Sequence, residues 1–137
     1  MLASQLLFLT ALGTTLAVVF WRGGREERAA AFALMAATAL TPIALTHGYT
    51  SPEIGVILID LALFTALAII ALKSVVFWPM WAAGFQLCAL SVHMAAAQMP
   101  LMLPAAYAET LVIWSYLVLA ALGLGTWFEA GKRHGQS

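Results

Sequence analysis

The chain has 137 residues, of which 64% are hydrophobic and 9% are charged, and its six basic and six acidic side chains give a formal net charge of zero. A typical soluble domain carries about 25% charged residues, so this composition excludes most soluble classes, intrinsic disorder and a nucleic-acid binder built on a basic surface. The single cysteine, Cys88, excludes an intrachain disulfide framework and a multi-cysteine metal site. We therefore predict an all-α integral membrane protein with one domain over 1–137.

Five stretches of the chain reach the length of about 20 mostly apolar residues that a membrane-spanning helix requires. In chain order, the predicted helices cover approximately 2–21, 29–46, 52–72, 78–98 and 104–128. The charged run 22–28 separates the first two. Ser51, Pro52 and Glu53 supply an N-cap, a first-turn proline and an acidic first turn for the third. Residues 131–137 are predicted to form a frayed cytoplasmic tail. The sequence therefore predicts a five-transmembrane-helix bundle.

The basic residues indicate how this bundle is oriented. Residues 22–28 contain three arginines, Lys73 lies between the third and fourth helices, and Lys132 and Arg133 follow the fifth. In a five-helix model all six lie on one side of the membrane, which the positive-inside rule makes cytoplasmic. We expect the N-terminus outside, the C-terminus inside, and a multi-pass protein of the cell inner (plasma) membrane.

Ionisable residues inside a predicted membrane span are candidates for a functional site because their burial is costly. Asp60, His93 and Glu109 each lie about 7–9 Å along the helix axis from the outer end of their helices. Gln86 shares a face with His93, and His47 lies at the rim. The cytoplasmic half is predicted to contain almost no buried polar groups. The candidate ligand or ion site comprises Asp60, His93, Glu109, Gln86, His47, Tyr107, Trp114 and Tyr116, with the last two as wall residues.

Structural roles explain the same residues without a ligand. Asp60 and His93 are expected to meet because sequential helices pack antiparallel, and this pair could simply lock the third helix to the fourth. Glu109 lies within snorkelling reach of the outer interface. His47 could be a solvated loop residue, and Gln86 could make one interhelical hydrogen bond.

Four functional hypotheses follow from these features. The first is an accessory or assembly subunit of a larger membrane complex, or a homo-oligomer, since Gly13, Ala17, Gly123 and Gly125 permit close helix approach. The second is a small transporter or channel for protons, ions or a small solute that uses the outer Asp/His/Glu cluster. Expected partners are the lipid bilayer and either further copies or other membrane subunits, with no nucleic acid.

The third hypothesis is a cofactor or metal protein. His47 and His93 could ligate a haem, and His93, Asp60 and Glu109 could bind a transition metal because imidazole and carboxylate suit such ions. The fourth, an intramembrane enzyme, is disfavoured because the sequence contains neither an HExxH nor a GxSxG motif.

Trp78-Pro79-Met80-Trp81 resembles a short part of the tryptophan-rich sensory proteins, which are five-helix bundles of similar size. The longer tryptophan- and proline-rich run of that family is absent, and no residue role is carried over from it.

Overall fold

The computed structural model describes residues 2–44, 54–99, 101 and 104–135. It contains five helices: α1 (Leu2–Arg22), α2 (Arg25–Ala44), α3 (Ile54–Lys73), α4 (Trp78–Gln98) and α5 (Pro104–Gly135). The described residues contain no β-strand. The predicted all-α class and the number of helices are therefore confirmed. His47, one of the candidate site residues, lies outside the described part of the chain.

Four of these helices are long and apolar enough to cross a membrane: Ala3–Arg22, Ile54–Lys73, Trp78–Gln98 and Ala105–Lys132. The described residues of α2 do not meet the same criterion. Its first turn carries Glu26 and Glu27, and much of the remainder is alanine, which is only mildly hydrophobic. The four apolar helices support a membrane protein.

The start of α2 differs from the sequence prediction, which placed the charged run 22–28 between helices. The helix begins at Arg25, four residues earlier than expected. The Gly24 N–H donates to Oε2 of Glu27 at 3.0 Å, and the Gly24 carbonyl accepts from the Arg28 N–H at 3.1 Å. This is the reverse half of a capping box, in which a third-position Glu satisfies the N-cap amide. The charges therefore form the first turn of the helix. At the other end of the chain, α5 continues to Gly135, through much of the predicted tail.

The bundle is organised around α4, which packs against both α3 and α5, while α1 packs against α5 and α2 against α3. Alanines line the buried face of α4, where Ala82, Ala89 and Ala96 allow the neighbouring helices to approach closely. The main apolar core includes Leu67 and Leu122. This packing places α4 between α3 and α5.

At Gly125, α5 packs tightly against the start of α4. A Cβ atom added at Gly125 would lie 2.3 Å from Cβ and Cγ of Trp78, whereas nothing lies within 4 Å of such an atom at Gly13. Trp78 itself is buried. Gly125, which the sequence offered as a contact between subunits, therefore serves packing within the chain.

Candidate functional site

Three polar side chains from three different helices form one hydrogen-bonded network. His93 Nε2 on α4 lies 2.6 Å from Oδ2 of Asp60 on α3, and His93 Nδ1 is hydrogen-bonded to the hydroxyl of Tyr107 on α5. His93 and Tyr107 are buried, and the side chain of Asp60 is 21% exposed. The predicted contact between Asp60 and His93 is confirmed, and Tyr107 extends it to a third helix.

The protonation chemistry of the three groups determines which atom donates and which accepts each hydrogen bond. An ionised carboxylate only accepts, so with Asp60 ionised the Nε2–H of His93 donates to it. The other nitrogen of a neutral imidazole is then an acceptor, and the Tyr107 O–H donates to Nδ1. If Asp60 is protonated, its O–H donates to Nε2, and the proton on Nδ1 is donated to the Tyr107 oxygen. With a neutral imidazole, the network therefore has two self-consistent hydrogen-bond patterns.

Gln86 on α4 also contacts α3 at Asp60. Its Nε2–H donates to the backbone carbonyl of Asp60 at 3.2 Å, and the residue is buried. Gln86 and His93 are seven residues apart and so lie on one face of α4. Two hydrogen bonds from α4 therefore fix the backbone and the carboxylate of Asp60.

Asp60 also lines a cavity of about 290 Å³ that is bounded by residues of all five helices. This volume is at the lower limit of typical ligand pockets, about 300 Å³. Most of the lining is apolar, and its polar members are Gln5, Thr38, Thr41, Asp60, Gln86 and Ser115. Asp60 is the one ionisable residue among the described residues of the lining. The site thus combines a small apolar cavity with a single carboxyl group.

The hydroxyl groups of the cavity are already committed as donors. Thr38, Thr41 and Ser115 donate to the carbonyls four residues earlier, at 2.8, 2.7 and 3.0 Å. Each oxygen keeps lone pairs that can accept. Pro42 lies inside α2 and has no N–H, so the carbonyl of Thr38 lacks its usual helical donor. These three hydroxyls therefore offer acceptors to the cavity, whereas the side-chain amides of Gln5 and Gln86 also carry N–H donors.

Glu109 does not join the network. It is exposed, while Tyr107, two residues before it, is buried against His93. Successive residues of an α-helix are about 100° apart, so Glu109 points roughly opposite to Tyr107. The described residues contain no group of three His, Cys, Asp or Glu side chains able to hold a metal ion. The predicted metal set of His93, Asp60 and Glu109 is therefore not assembled.

A haem or metal on His93 would also have to displace an existing partner, because both of its ring nitrogens are hydrogen-bonded. The two predicted wall residues lie elsewhere. Trp114 stacks on Phe85 with ring centroids 6.4 Å apart, and Tyr116 meets Phe8 edge-on at 5.6 Å. Neither lines the central cavity. Sequence reasoning missed Thr38 and Thr41, although two threonines beside a proline within an apolar helix could have signalled a polar lining.

The other end of the bundle holds the basic residues Arg22, Lys73 and Lys132. It contains more buried polar groups than predicted, because Glu27 and Thr126 are fully buried. The Ser74 hydroxyl donates to Oε2 of Glu26 at 2.5 Å. The Arg22 guanidinium lies 4.3 Å from the centroid of the Trp127 ring. The expectation of an almost purely apolar half was wrong, since these polar groups satisfy helix ends and join neighbouring helices.

Comparison of the chain with protein-family models, curated proteins and solved structures found no match in any of the three.

Proposed function

We propose that this protein is a small multi-pass membrane protein that binds a small polar solute in its central cavity and carries it across the membrane. The observation that carries this proposal is the placement of Asp60. Asp60 lines the cavity, and its Oδ2 is hydrogen-bonded to Nε2 of His93. Its Oδ1 has no hydrogen-bond partner in the part of the chain that is described. A carboxylate oxygen beside an apolar cavity is unfavourable unless something satisfies it.

A purely structural pair would have a different geometry. A lock between α3 and α4 requires only contact between Asp60 and His93, with further hydrogen bonds to satisfy the remaining carboxylate oxygen. The cavity instead reaches from α1 to α5 and includes hydroxyls from two further helices. Small ligands are typically bound in such a setting, in apolar cavities with a few converging polar groups.

We also propose that all five helices cross, with the N-terminus outside and the C-terminus in the cytoplasm. The contacts of Arg22 with Trp127 and of Ser74 with Glu26 support this orientation because they gather the basic residues at one end. A C-terminal fusion to green fluorescent protein should fluoresce, and one to alkaline phosphatase at the N-terminus should be active. Both ends on the same side would indicate four crossings and refute this topology.

Labelling of introduced cysteines tests the binding cavity. In a Cys88→Ala background, Thr38→Cys places a thiol in the cavity and Thr65→Cys places one on the exposed surface of α3. The two threonines are matched, since each donates to the carbonyl four residues earlier at 2.8 Å. A charged thiol reagent should modify Thr38→Cys in open membranes and leave Thr65→Cys, which faces lipid, unmodified. An unreactive Thr38→Cys would contradict the proposal.

A second candidate function, as an accessory subunit or homo-oligomer, is favoured by the exposed side chains of α4 and α5. Phe77, Trp81, Leu124 and Phe128 are all more than half exposed and line one apolar groove. Such a surface suits either lipid or another helix. Native mass spectrometry after gentle extraction distinguishes the two. Additional polypeptide mass would support this candidate, and a monomer carrying only lipid would reject it.

A further inference from the structure

We propose that the apolar groove between α4 and α5 is a binding site for one phospholipid whose headgroup combines a phosphate with a primary ammonium. An acyl chain lies along the groove, and the headgroup meets Glu129 and Lys132 at its end. The groove shares no lining residue with the central cavity. This inference therefore goes beyond the proposed function and does not depend on it.

The groove is an aromatic surface with a volume of about 880 Å³. Phe77, Trp81 and Phe85 follow one another at intervals of four residues along the first part of α4, with successive ring centroids 6.1 Å apart. These eight residue steps cover about 12 Å of helix. On α5, Leu124 and Phe128 line the same groove and are more than half exposed. A contiguous apolar surface of this kind marks a contact with lipid or with another protein.

The size of these side chains favours a flexible acyl chain over a second helix. Helix contacts within membranes are enriched in small residues, which let two backbones approach closely. The exposed positions of this groove carry large side chains instead, and Gly125 is already covered by Trp78. A flexible chain can follow an uneven aromatic surface that a rigid helix cannot.

One end of the groove carries a positive and a negative charge side by side. Lys132 Nζ donates to Oε1 of Glu129 at 3.1 Å, and both residues line the groove. The Lys132 side chain is 70% exposed and that of Glu129 is 15% exposed. An ammonium has three N–H donors and a carboxylate has two oxygens. Two donors of Lys132 and Oε2 of Glu129 therefore have no hydrogen-bond partner among the described residues, and the pair can bind a second pair of opposite charges without breaking.

This arrangement of charges selects the headgroup. A phosphate accepts from the remaining N–H groups of Lys132, and a primary ammonium donates to Oε2 of Glu129, and both bonds are charge-assisted. Glu129 and Lys132 are the ionisable residues among the described lining residues, so the charges of the lining sum to zero. An anionic headgroup would meet an uncompensated carboxylate. A quaternary ammonium has no N–H and cannot form the second bond.

The charged end of the groove lies where lipid headgroups are expected. Arg22 and Lys73 end their helices at the same end of the bundle, and the Arg22 guanidinium lies 4.3 Å from the centroid of the Trp127 ring. Basic residues and tryptophans are enriched where membrane helices meet the membrane–water interface. A headgroup bound by Lys132 and Glu129 is therefore at its natural depth.

Trp78 offers a third polar contact, deeper in the groove. It is 5% exposed, and its Nε1–H has no acceptor among the described residues. A Cβ atom at Gly125 would lie 2.7 Å from its Cδ1, the carbon beside Nε1. Gly125 lies seven residues before Lys132, on the same face of α5 and about 10 Å along the helix toward the acyl chains.

The glycerol ester oxygens of a phospholipid join its headgroup to its acyl chains, so they come to the depth of Trp78. They supply the acceptor that this buried donor lacks. Because the N–H is not at the surface of the groove, neighbouring side chains must shift for this bond to form.

Native mass spectrometry of the purified full-length protein tests the headgroup. The protein is equilibrated in detergent micelles that contain equal amounts of dioleoyl phosphatidylethanolamine, phosphatidylcholine and phosphatidylglycerol, which differ only in the headgroup. The first lipid retained should be phosphatidylethanolamine, by about threefold to tenfold over each of the others, the size of one partly exposed charge-assisted hydrogen bond.

Two variants test the two charges. Glu129→Gln removes the partner of the ammonium, so the preference for phosphatidylethanolamine should disappear and retention of phosphatidylglycerol should rise. Lys132→Gln removes the phosphate donor and should lower retention of all three lipids severalfold. The matched controls are Glu109→Gln, on α5 outside the groove, and Lys73→Gln, at the same end of the bundle outside the groove. Both controls should keep the pattern of the unmodified protein.

Three outcomes would overturn this inference. The first is equal retention of the three lipids by the unmodified protein, or a preference for phosphatidylcholine or phosphatidylglycerol, and this comparison decides even if a variant does not fold. The second is a Glu129→Gln protein that keeps the preference. The third is additional polypeptide mass in place of lipid, which would assign the groove to another chain. None of them bears on the central cavity, which the labelling of Thr38→Cys tests separately.

Discussion

The hydrogen bond between Asp60 and His93 should contribute a coupling free energy to the stability of the fold, and its length and burial set the expected magnitude. Their hydrogen bond is 2.6 Å long and the imidazole is buried, whereas the carboxylate is 21% exposed at the cavity. Charge-assisted hydrogen bonds contribute about 1.5–3 kcal/mol, and partial exposure of the carboxylate favours the lower part of that range. We expect a coupling free energy of about 2 kcal/mol, above the average of about 0.6 kcal/mol for interhelical hydrogen bonds in a membrane protein.

A double-mutant cycle measures this coupling. Asp60→Asn, His93→Gln and the double variant are compared by reversible unfolding in detergent micelles, and the non-additive part of the free energy of unfolding is the coupling. The matched cycle pairs His93→Gln with Glu109→Gln, which should be additive to within about 0.5 kcal/mol because the two groups do not touch. A coupling free energy below about 0.5 kcal/mol for Asp60 and His93 would refute the assignment of a charge-assisted hydrogen bond.

Two further predictions concern packing. Gly125→Ala should lower the free energy of unfolding by about 1–3 kcal/mol, the usual cost of overpacking, because its Cβ would lie 2.3 Å from Trp78. Gly13→Ala has open space around it and should be neutral or slightly stabilising. Equal losses of stability in the two variants would contradict the packing of Gly125 on Trp78. Gln86→Leu should cost about 0.6–2 kcal/mol through loss of its interhelical bond, whereas Gln98→Leu on an exposed site should not. Thermal unfolding in detergent measures all four variants, and a neutral Gln86→Leu would show that its bond to Asp60 is unimportant.

The sequence predicted the elements well where apolar length and helix signals agreed. The bounds of α4 coincide with the predicted 78–98, because Pro79 marks its start and an apolar run fills its length. The start of α2 was misplaced because a charged run in an apolar chain suggests a loop. Glu27 instead reaches back to cap Gly24, which requires knowledge of the turn between α1 and α2.

The candidate site was predictable only in part. Asp60 and His93 lie at similar depth on antiparallel neighbours, so their contact follows from helix length and order. Glu109 shares that depth, but depth does not give the direction around the helix axis, and Tyr107 occupies the inward position. The cavity is the space that the side chains of the five helices leave unfilled, and its position depends on how the helices pack. Thr38 and Ser115 therefore could not be recognised as lining residues from the sequence.

Access to the cavity from each side of the membrane tests the central claim most directly. Thr38→Cys in the Cys88→Ala background is placed in sealed vesicles of known orientation, and an impermeant thiol reagent is applied to one face at a time. If the protein carries a solute past Asp60, the thiol reacts from both faces, and a saturating concentration of the transported solute slows both reactions. A thiol that reacts from neither face would identify the network of Asp60, His93 and Tyr107 as a structural lock between helices.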